Sequence, residues 1–237
     1  MAEPTEALSA SIDALTGFLV GEETMGETLR RIAEFGQAAI PGADLTGLTL
    51  LATDGRPTTA VCTDPDTAAV DRTQYENGDG PCLAAFREMR VITVPKMEAQ
   101  TRWPEVADCA REMGVRSSLS APLIVRESGI GALNFYSRST EAFSEADEET
   151  AQTFSLHAAV VLANAQAYWG AYELSQQLER AMGSRAEIEQ AKGVIIEQSG
   201  VTSDEAFELL KRASQRENRK LREIATEIVR RAQERRR

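Results

Sequence analysis

Strand-forming patterns occur only in the first two-thirds of this 237-residue chain, whereas the last third carries helix patterns alone. The charge changes at the same place: residues 1–166 contain 12 Lys+Arg and 25 Asp+Glu, and residues 167–237 contain 14 and 12. This division predicts an acidic domain with a sheet, followed by a smaller basic helical domain. Within the last 27 residues the basic excess reaches 11 against 4, which indicates contact with phosphate groups.

The first domain, residues 1–166, is predicted to be an α+β domain with an antiparallel sheet flanked by helices. Two hairpins supply the sheet, because apolar runs flank Asp54-Gly55 and the segment 127–129, and short turns of this kind join antiparallel strands. The predicted helices cover 7–20, 24–39, a short segment after Pro81, 103–113 and a long stretch from Ser144, with a brief strand over 91–94.

The remaining residues divide into a helical linker, 167–183, and a bundle of three helices, 184–237. Ser184 with Glu187 and Thr202 with Glu205 have the spacing of capping boxes, and Asn218 can cap a third helix. Helices are therefore predicted over 185–198, 203–215 and 219–233. Their predicted inward positions are Ile188, Ala191, Ile195, Ala206, Phe207, Leu210, Leu221, Ile224, Ala225 and Ile228.

Composition limits the function classes. The N-terminus has no signal-peptide pattern, and no segment approaches the roughly 20 apolar residues of a membrane span. Three cysteines without metal-knuckle spacing and one histidine favour reduced thiols over disulfides or zinc. We therefore expect a cytoplasmic protein without a metal centre, a cofactor or a catalytic site.

The C-terminal segment resembles the ANTAR family of RNA-binding output domains. Ala191-Lys192-Gly193 forms the core of the likeness, and it covers essentially the whole helical bundle. The other matching residues are Ser184, Arg185, Ile188 to Gln190, Ser203 to Leu210, Ser214, Asn218, Lys220, Leu221, Ile224 and Ala225. The resemblance implies binding to tandem RNA stem-loops, which prevents a transcription terminator from forming.

The first domain resembles the GAF domains that precede ANTAR domains in actinobacterial regulators. The matching segments are Gly80-Pro81-Cys82, Arg102-Trp103-Pro104, Gly114 to Ser117, Pro122-Leu123 and Gly131 to Ser137. GAF domains bind many different ligands, so the resemblance implies an unidentified small-molecule signal.

The candidate site residues follow from these resemblances and from charge. Because no aromatic residue accompanies the predicted basic face, extensive base stacking is disfavoured. The predicted RNA-binding residues are Arg185, Lys192, Gly193, Arg212, Ser214, Arg216, Asn218, Arg219 and Lys220. The predicted ligand-binding residues are Tyr75, Cys82, Trp103 and Tyr136, for which core packing is the alternative.

Three further interpretations stay open. Cys82 begins a helix, where a thiolate can be stabilised, so the alternatives include a thiol enzyme acting on free methionine sulfoxide. A basic three-helix unit also fits a DNA-binding regulator. The long helix carries a narrow seam of apolar and small residues at spacings of three, four and seven, which favours a parallel homodimer. The seam consists of Leu156, Val160, Ala163, Ala167, Gly170, Leu174 and Ala181.

Overall fold

The computed structural model describes residues 4–17, 24–52 and 56–234. Contacts divide the chain into two units, Met1–Trp169 and Gly170–Arg237. The helices are α1 (Pro4–Thr16), α2 (Met25–Ala39), α3 (Pro65–Asn77), α4 (Pro81–Glu88), α5 (Pro104–Glu112), α6 (Glu145–Ser199), α7 (Ser203–Glu217) and α8 (Leu221–Glu234). The strands are β1 (Leu45–Leu51), β2 (Pro57–Cys62), β3 (Ile92–Val94), β4 (Ser117–Val125) and β5 (Ser128–Ser137).

The five strands form an antiparallel sheet in the order β2-β1-β5-β4-β3. The predicted hairpins correspond to β1-β2 and β4-β5, although the turn residues 53–55 lie outside the described segments. The α+β prediction is confirmed. The predicted end of the first helix, residues 18–20, also lies outside them.

Side chains of β5 alternate between the two faces of the sheet, as a pleated strand requires. Leu133 and Phe135 belong to one core, which Ile32 of α2 and Phe154 of α6 complete. Tyr136 belongs to a second core, on the face covered by α3, α4 and α5. Both faces of the sheet are therefore covered by helices.

Helix α3 was not predicted from the sequence, because its residues lack a clear apolar stripe. Local signals nevertheless fix its start: Asp64 Oδ1 accepts a hydrogen bond from the Asp66 backbone N–H, and Pro65 occupies the first turn, where its missing N–H costs nothing. The helix buries Val70, Asp71 and Gln74 against the sheet. Two of these three buried residues are polar.

Helix α6 continues through Gly183 and Ser184, where the sequence predicted a new helix to begin. The capping box at the start of α7 is present: the Thr202 hydroxyl accepts from the Glu205 backbone N–H at 3.3 Å, and the Glu205 carboxylate accepts from the Thr202 backbone N–H at 2.8 Å. Continuation of a helix satisfies the same backbone groups as a cap, so a capping sequence alone does not determine a helix end.

The second unit is a bundle formed by the last part of α6 with α7 and α8, called here the basic bundle. Its core contains Ala191, Leu210, Ile224 and Ala225. The prediction for Phe207 was wrong, because its side chain is 38% exposed. Ala206 and Leu210 fill the inner face of α7, and a residue one position from Ala206 lies about 100° around the helix, at the edge of that face.

Candidate functional site

The face of the sheet beneath α3 holds a buried carboxyl group, that of Asp71. Its Oδ1 accepts hydrogen bonds from the Tyr136 hydroxyl at 2.5 Å and from Asn134 Nδ2 at 3.2 Å. Its Oδ2 accepts from the Thr59 hydroxyl at 3.2 Å. The side chain of Asp71 is fully buried, so side chains from two strands, β2 and β5, meet one from α3 at a group that water does not reach.

Thr49 connects this carboxyl group to the remaining polar side chains. Its hydroxyl lies 2.8 Å from the Tyr75 hydroxyl, accepts from Asn134 Nδ2 at 3.0 Å, and accepts from the Cys82 thiol at 3.4 Å. Thr59 also lies 3.0 Å from the Tyr75 hydroxyl. We call this network the Asp71 cluster; its members are Thr49, Thr59, Asp71, Gln74, Tyr75, Cys82, Asn134 and Tyr136.

Gln74 joins α3 to the start of α4. Its Oε1 accepts from the Cys82 backbone N–H at 2.8 Å, and its Nε2 donates to the Tyr136 hydroxyl at 3.2 Å. A Cβ at Gly80 would lie 2.4 Å from that Oε1, and a Cβ at Gly47 would lie 2.8 Å from Asp71 Oδ2. Both glycines therefore leave the space that the cluster occupies.

Burial determines the protonation of these groups. It raises the pKa of Asp71 to about 6, although hydrogen bonds from Tyr136, Thr59 and Asn134 act in the opposite direction. Burial first, and then the charge on Asp71, raise the pKa of Cys82 to about 12 and also raise the pKa values of Tyr75 and Tyr136. At neutral pH the thiol and both phenols therefore stay protonated.

The environment of Cys82 is the opposite of the one a reactive thiolate needs. The residue is 1% exposed, and desolvation outweighs any effect of its position at the start of α4. Nucleophilic chemistry at this thiol is not favoured by the geometry. Cys62 and Cys109 are also free thiols.

Three of the four predicted ligand-binding residues, Tyr75, Cys82 and Tyr136, meet in the Asp71 cluster. Trp103 instead packs in the apolar core on the same face of the sheet, with the Arg102 guanidinium 4.5 Å from its ring centre. Sequence reasoning missed Asp71 itself. Its partner Asn134 has the Oδ1 atom buried without a hydrogen bond, so the cluster retains one acceptor for a further donor.

Replacing Asp71 with asparagine should remove one contribution to the pH dependence of the free energy of unfolding, because asparagine does not ionise. The ordinary pKa of an aspartate is 3.8, so raising the pH ionises Asp71 in the unfolded chain first, and the wild-type protein loses stability between pH 3.8 and about 6. A shift of this size corresponds to about 3 kcal/mol. Thermal unfolding at pH 4 and pH 7.5 should therefore show the variant gaining several degrees on wild type at the higher pH. An equal difference between the two proteins at both pH values would contradict the assigned ionisation.

The basic bundle pairs several of its predicted RNA-binding cations with its own carboxylates. Lys192 Nζ lies 2.9 Å from Glu189 Oε1. Arg219 lies 2.7 Å from Glu227 and 3.2 Å from Glu217. Arg216 also contacts Glu217, at 3.5 Å. Exposed pairs such as those of Arg216 and Arg219 contribute little to stability, so a phosphate can replace the carboxylate there. The side chain of Lys192, in contrast, is only 14% exposed.

Other cations of the bundle form no ion pair with a carboxylate of the described residues. Across residues 56–234, the ion pairs include none formed by Arg185, Arg212, Lys220 or Arg222. The first three belong to the predicted RNA-binding set, whereas Arg222 does not. Their charges are available to an external anion.

The three uncharged members of the predicted set differ in role. The Ser214 hydroxyl donates to the Arg219 carbonyl at 2.5 Å. Asn218 adopts a left-handed conformation, φ 50°, and ends α7, so it does not begin α8 as predicted. A Cβ added to Gly193 would meet nothing within 4 Å. Within the described segments, no neighbouring atom requires a glycine at this position of the helix.

Two absences apply to the described segments only. None of their helices has the length and apolar character required to cross a membrane. They also contain no group of His, Cys, Asp and Glu residues arranged to hold a metal ion.

Comparison with solved structures supports the fold of the first unit. The GAF domain of an Acinetobacter phosphoenolpyruvate-protein phosphotransferase aligns with a TM-score of 0.54 at 14% identity, covering 70% of this chain and 97% of that one. Free methionine-R-sulfoxide reductase from Neisseria meningitidis, in complex with its substrate, aligns with a TM-score of 0.53 at 18% identity. The alignment covers 70% of this chain and 91% of the reductase chain. A GAF domain of the same phosphotransferase type from Coxiella burnetii aligns with a TM-score of 0.53 at 17% identity, covering 70% of this chain and 96% of that one. These identities establish the fold alone.

Family models agree with the division into two units. The GAF domain model matches residues 21–162, and the ANTAR domain model matches residues 176–229. Among curated proteins no sequence matches this chain. A sensor-type α+β domain followed by a basic helical bundle defines a class of regulatory proteins. Within that class, this chain belongs to the GAF family and carries an ANTAR domain after its GAF domain, which confirms the predicted GAF-ANTAR architecture.

Proposed function

We propose that this chain is a transcription antiterminator, in which a GAF sensor controls binding of the ANTAR domain to tandem RNA stem-loops. The observation that carries the proposal is the ANTAR match over 176–229 on a bundle whose Arg185, Arg212 and Lys220 have no carboxylate partner. Long cationic side chains without internal partners suit phosphate contacts. We assign the sensor to 1–166, the connecting helix to 167–183 and the output to 184–237, and we propose that the protein acts in the cytoplasm on nascent transcripts.

The Asp71 cluster supports control by ligand binding. It holds a buried carboxyl group, two phenols and an amide that pair with one another, and it leaves Asn134 Oδ1 as a buried acceptor without a donor. A buried polar atom of this kind discriminates strongly between ligands that pair with it and ligands that do not. The protonated, buried thiol of Cys82 favours binding over the alternative of thiol chemistry on free methionine sulfoxide. We therefore propose a small polar ligand at this face of the GAF sheet.

The exposed seam on α6 supports a homodimer. Leu156, Val160 and Leu174 of the predicted seam are between 48% and 56% exposed. Leu178, which the prediction did not include, is 56% exposed and lies on the same stripe of the helix. The side chain of Ala181, also predicted in the seam, lies outside the described side chains. We propose that a second copy of α6 covers this stripe, because two parallel copies place identical apolar residues opposite each other.

Binding of the full-length protein to a synthetic RNA with two hexaloop stem-loops tests the proposed function. A DNA duplex of the same length serves as the comparison. We expect much tighter binding to the RNA, with an affinity that falls steeply as salt is added, because each neutralised phosphate releases counterions. Equal affinity for RNA and DNA would favour the alternative of a DNA-binding regulator.

A further inference from the structure

The exposed ring of Phe207 is an unusual feature of the basic bundle. Of the large apolar side chains on α7, Leu210 is fully buried, whereas Phe207 and Leu209 are 38% and 43% exposed. Phe207 is the aromatic residue among them. A phenyl ring left this far in solvent is available to an external partner, although isolated exposed apolar residues are common.

The side of α7 that carries Phe207 can be deduced from the grooves of the bundle. The groove between α7 and α8 is lined by Ala213, Arg216 and Glu217 on the α7 side. Successive residues are about 100° apart around a helix axis. Phe207 and Lys211 are therefore rotated by more than 120° around the axis of α7 from the centre of these three lining residues. They therefore lie on the edge of α7 that is turned away from α8.

The same reasoning applies to α6. Gln190, Val194 and Gln198 line a groove of about 490 Å³ between α6 and α8, and Lys192 and Ile196 lie on roughly the opposite side of α6. In a bundle of three helices, the edges of α6 and α7 that are turned away from α8 border each other. We call this surface the α6–α7 face; its members are Arg185, Lys192, Ile196, Phe207, Lys211 and Ser214.

The chemistry of the α6–α7 face fits an unpaired nucleotide. Its cations, Arg185, Lys192 and Lys211, complement a phosphate backbone. Lys192 pairs with Glu189 and is only 14% exposed, and Lys211 pairs with Glu208 at 3.3 Å. The exposed apolar groups of the face, Phe207 and the 36% exposed Ile196, do not complement a phosphate. A base splayed out of a loop presents both a charged backbone and a flat apolar surface, and proteins stack such bases on aromatic rings. Bases within a duplex are already stacked on each other and cannot reach such a ring.

We propose that Phe207 is the platform on which an unpaired loop base of the RNA stacks, with cations of the α6–α7 face holding the flanking phosphates. This inference rests on the proposed RNA-binding function and makes Phe207 a specificity residue for loops over duplexes. It also revises the sequence-based expectation against base stacking, which rested on the absence of an aromatic residue beside the predicted basic face.

The test compares full-length wild type with Phe207→Leu, which keeps an apolar side chain, and Phe207→Tyr, which keeps the ring. The probe is the tandem hexaloop RNA with 2-aminopurine at one loop position at a time. Because one stacked base is lost, the Phe207→Leu variant should bind the RNA about 5- to 150-fold more weakly than wild type. The salt dependence should not change, and Phe207→Tyr should retain the wild-type affinity. One loop position should show quenched fluorescence with wild type and Phe207→Tyr only.

The possible results separate the two levels of the proposal. If wild type binds the RNA and Phe207→Leu binds equally well with the same quenching, the platform is wrong and RNA binding stands. If Phe207→Leu changes only self-association, the ring contacts protein, and the platform is again wrong. If wild type does not bind the hairpin RNA at all, both the platform and the proposed function fail.

Discussion

Replacing both Lys192 and Arg212 with alanine is expected to cause a large loss of RNA binding, because it removes two positive charges from the basic bundle. Each lost phosphate contact should lower the slope of log K against log salt by roughly 0.7 to 0.9, so the double variant should lose roughly 1.4 to 1.8. Within residues 56–234, Arg212 forms no ion pair, whereas the side chain of Lys192 is only 14% exposed and pairs with Glu189 at 2.9 Å. Thermal unfolding of the double variant, compared with wild type, separates lost RNA contacts from lost stability. Titrations at several salt concentrations measure the affinity and the slope.

The matched control for this experiment is Arg111→Ala. Arg111 is also an exposed arginine, paired with Asp108 at 2.8 Å, but it lies on α5 of the GAF domain. Its removal should leave the affinity and the salt slope unchanged. A double variant of Lys192 and Arg212 that behaves like the control would mean that these two cations of the basic bundle are solvated and do not contact RNA.

Replacing Leu174 with arginine should convert a dimer into monomers. Leu174 is 56% exposed in the single chain, so the change is harmless to the monomer, whereas in a dimer seam it would bury two like charges without partners. Sedimentation at micromolar concentration should then give half the wild-type mass. The control Glu173→Arg introduces the same side chain about 100° around the helix and should remain dimeric. A monomeric wild-type protein would remove the basis for the seam.

Regular elements with strong local signals were predictable from the sequence. The β4-β5 hairpin follows from two apolar runs around a short polar turn, and the start of α7 follows from Thr202 and Glu205, whose side chains form the predicted capping box. These features depend on neighbours along the chain, and for that reason a single sequence contains them.

The Asp71 cluster depends on contacts between residues distant in sequence, and the sequence gives little warning of it. Asp71 lies on a polar helix, and a buried aspartate cannot be distinguished from an exposed one by its neighbours. The available signal was on β5, where Asn134 and Tyr136 alternate with Leu133 and Phe135. That alternation assigns Asn134 and Tyr136 to one face of the sheet and predicts a polar partner across from them.

The basic bundle illustrates how helix patterns mislead at their edges. Ala206, Phe207 and Leu210 all fit an inward stripe, but Ala206 and Leu210 occupy the core and Phe207 is left at its margin. Ser184 and Glu187 likewise fit a helix start, yet α6 passes through them, because a continuous helix satisfies the same backbone groups.

Transcription in vitro tests the central claim most directly. The template carries tandem hexaloop stem-loops upstream of an intrinsic terminator, and full-length protein is added at increasing concentration. The proposed function predicts that the readthrough product increases with protein, and that the increase is lost with the Lys192 and Arg212 double variant and on a template without the stem-loops. An unchanged ratio of terminated to readthrough transcript, at protein concentrations that saturate the stem-loops, would contradict antitermination.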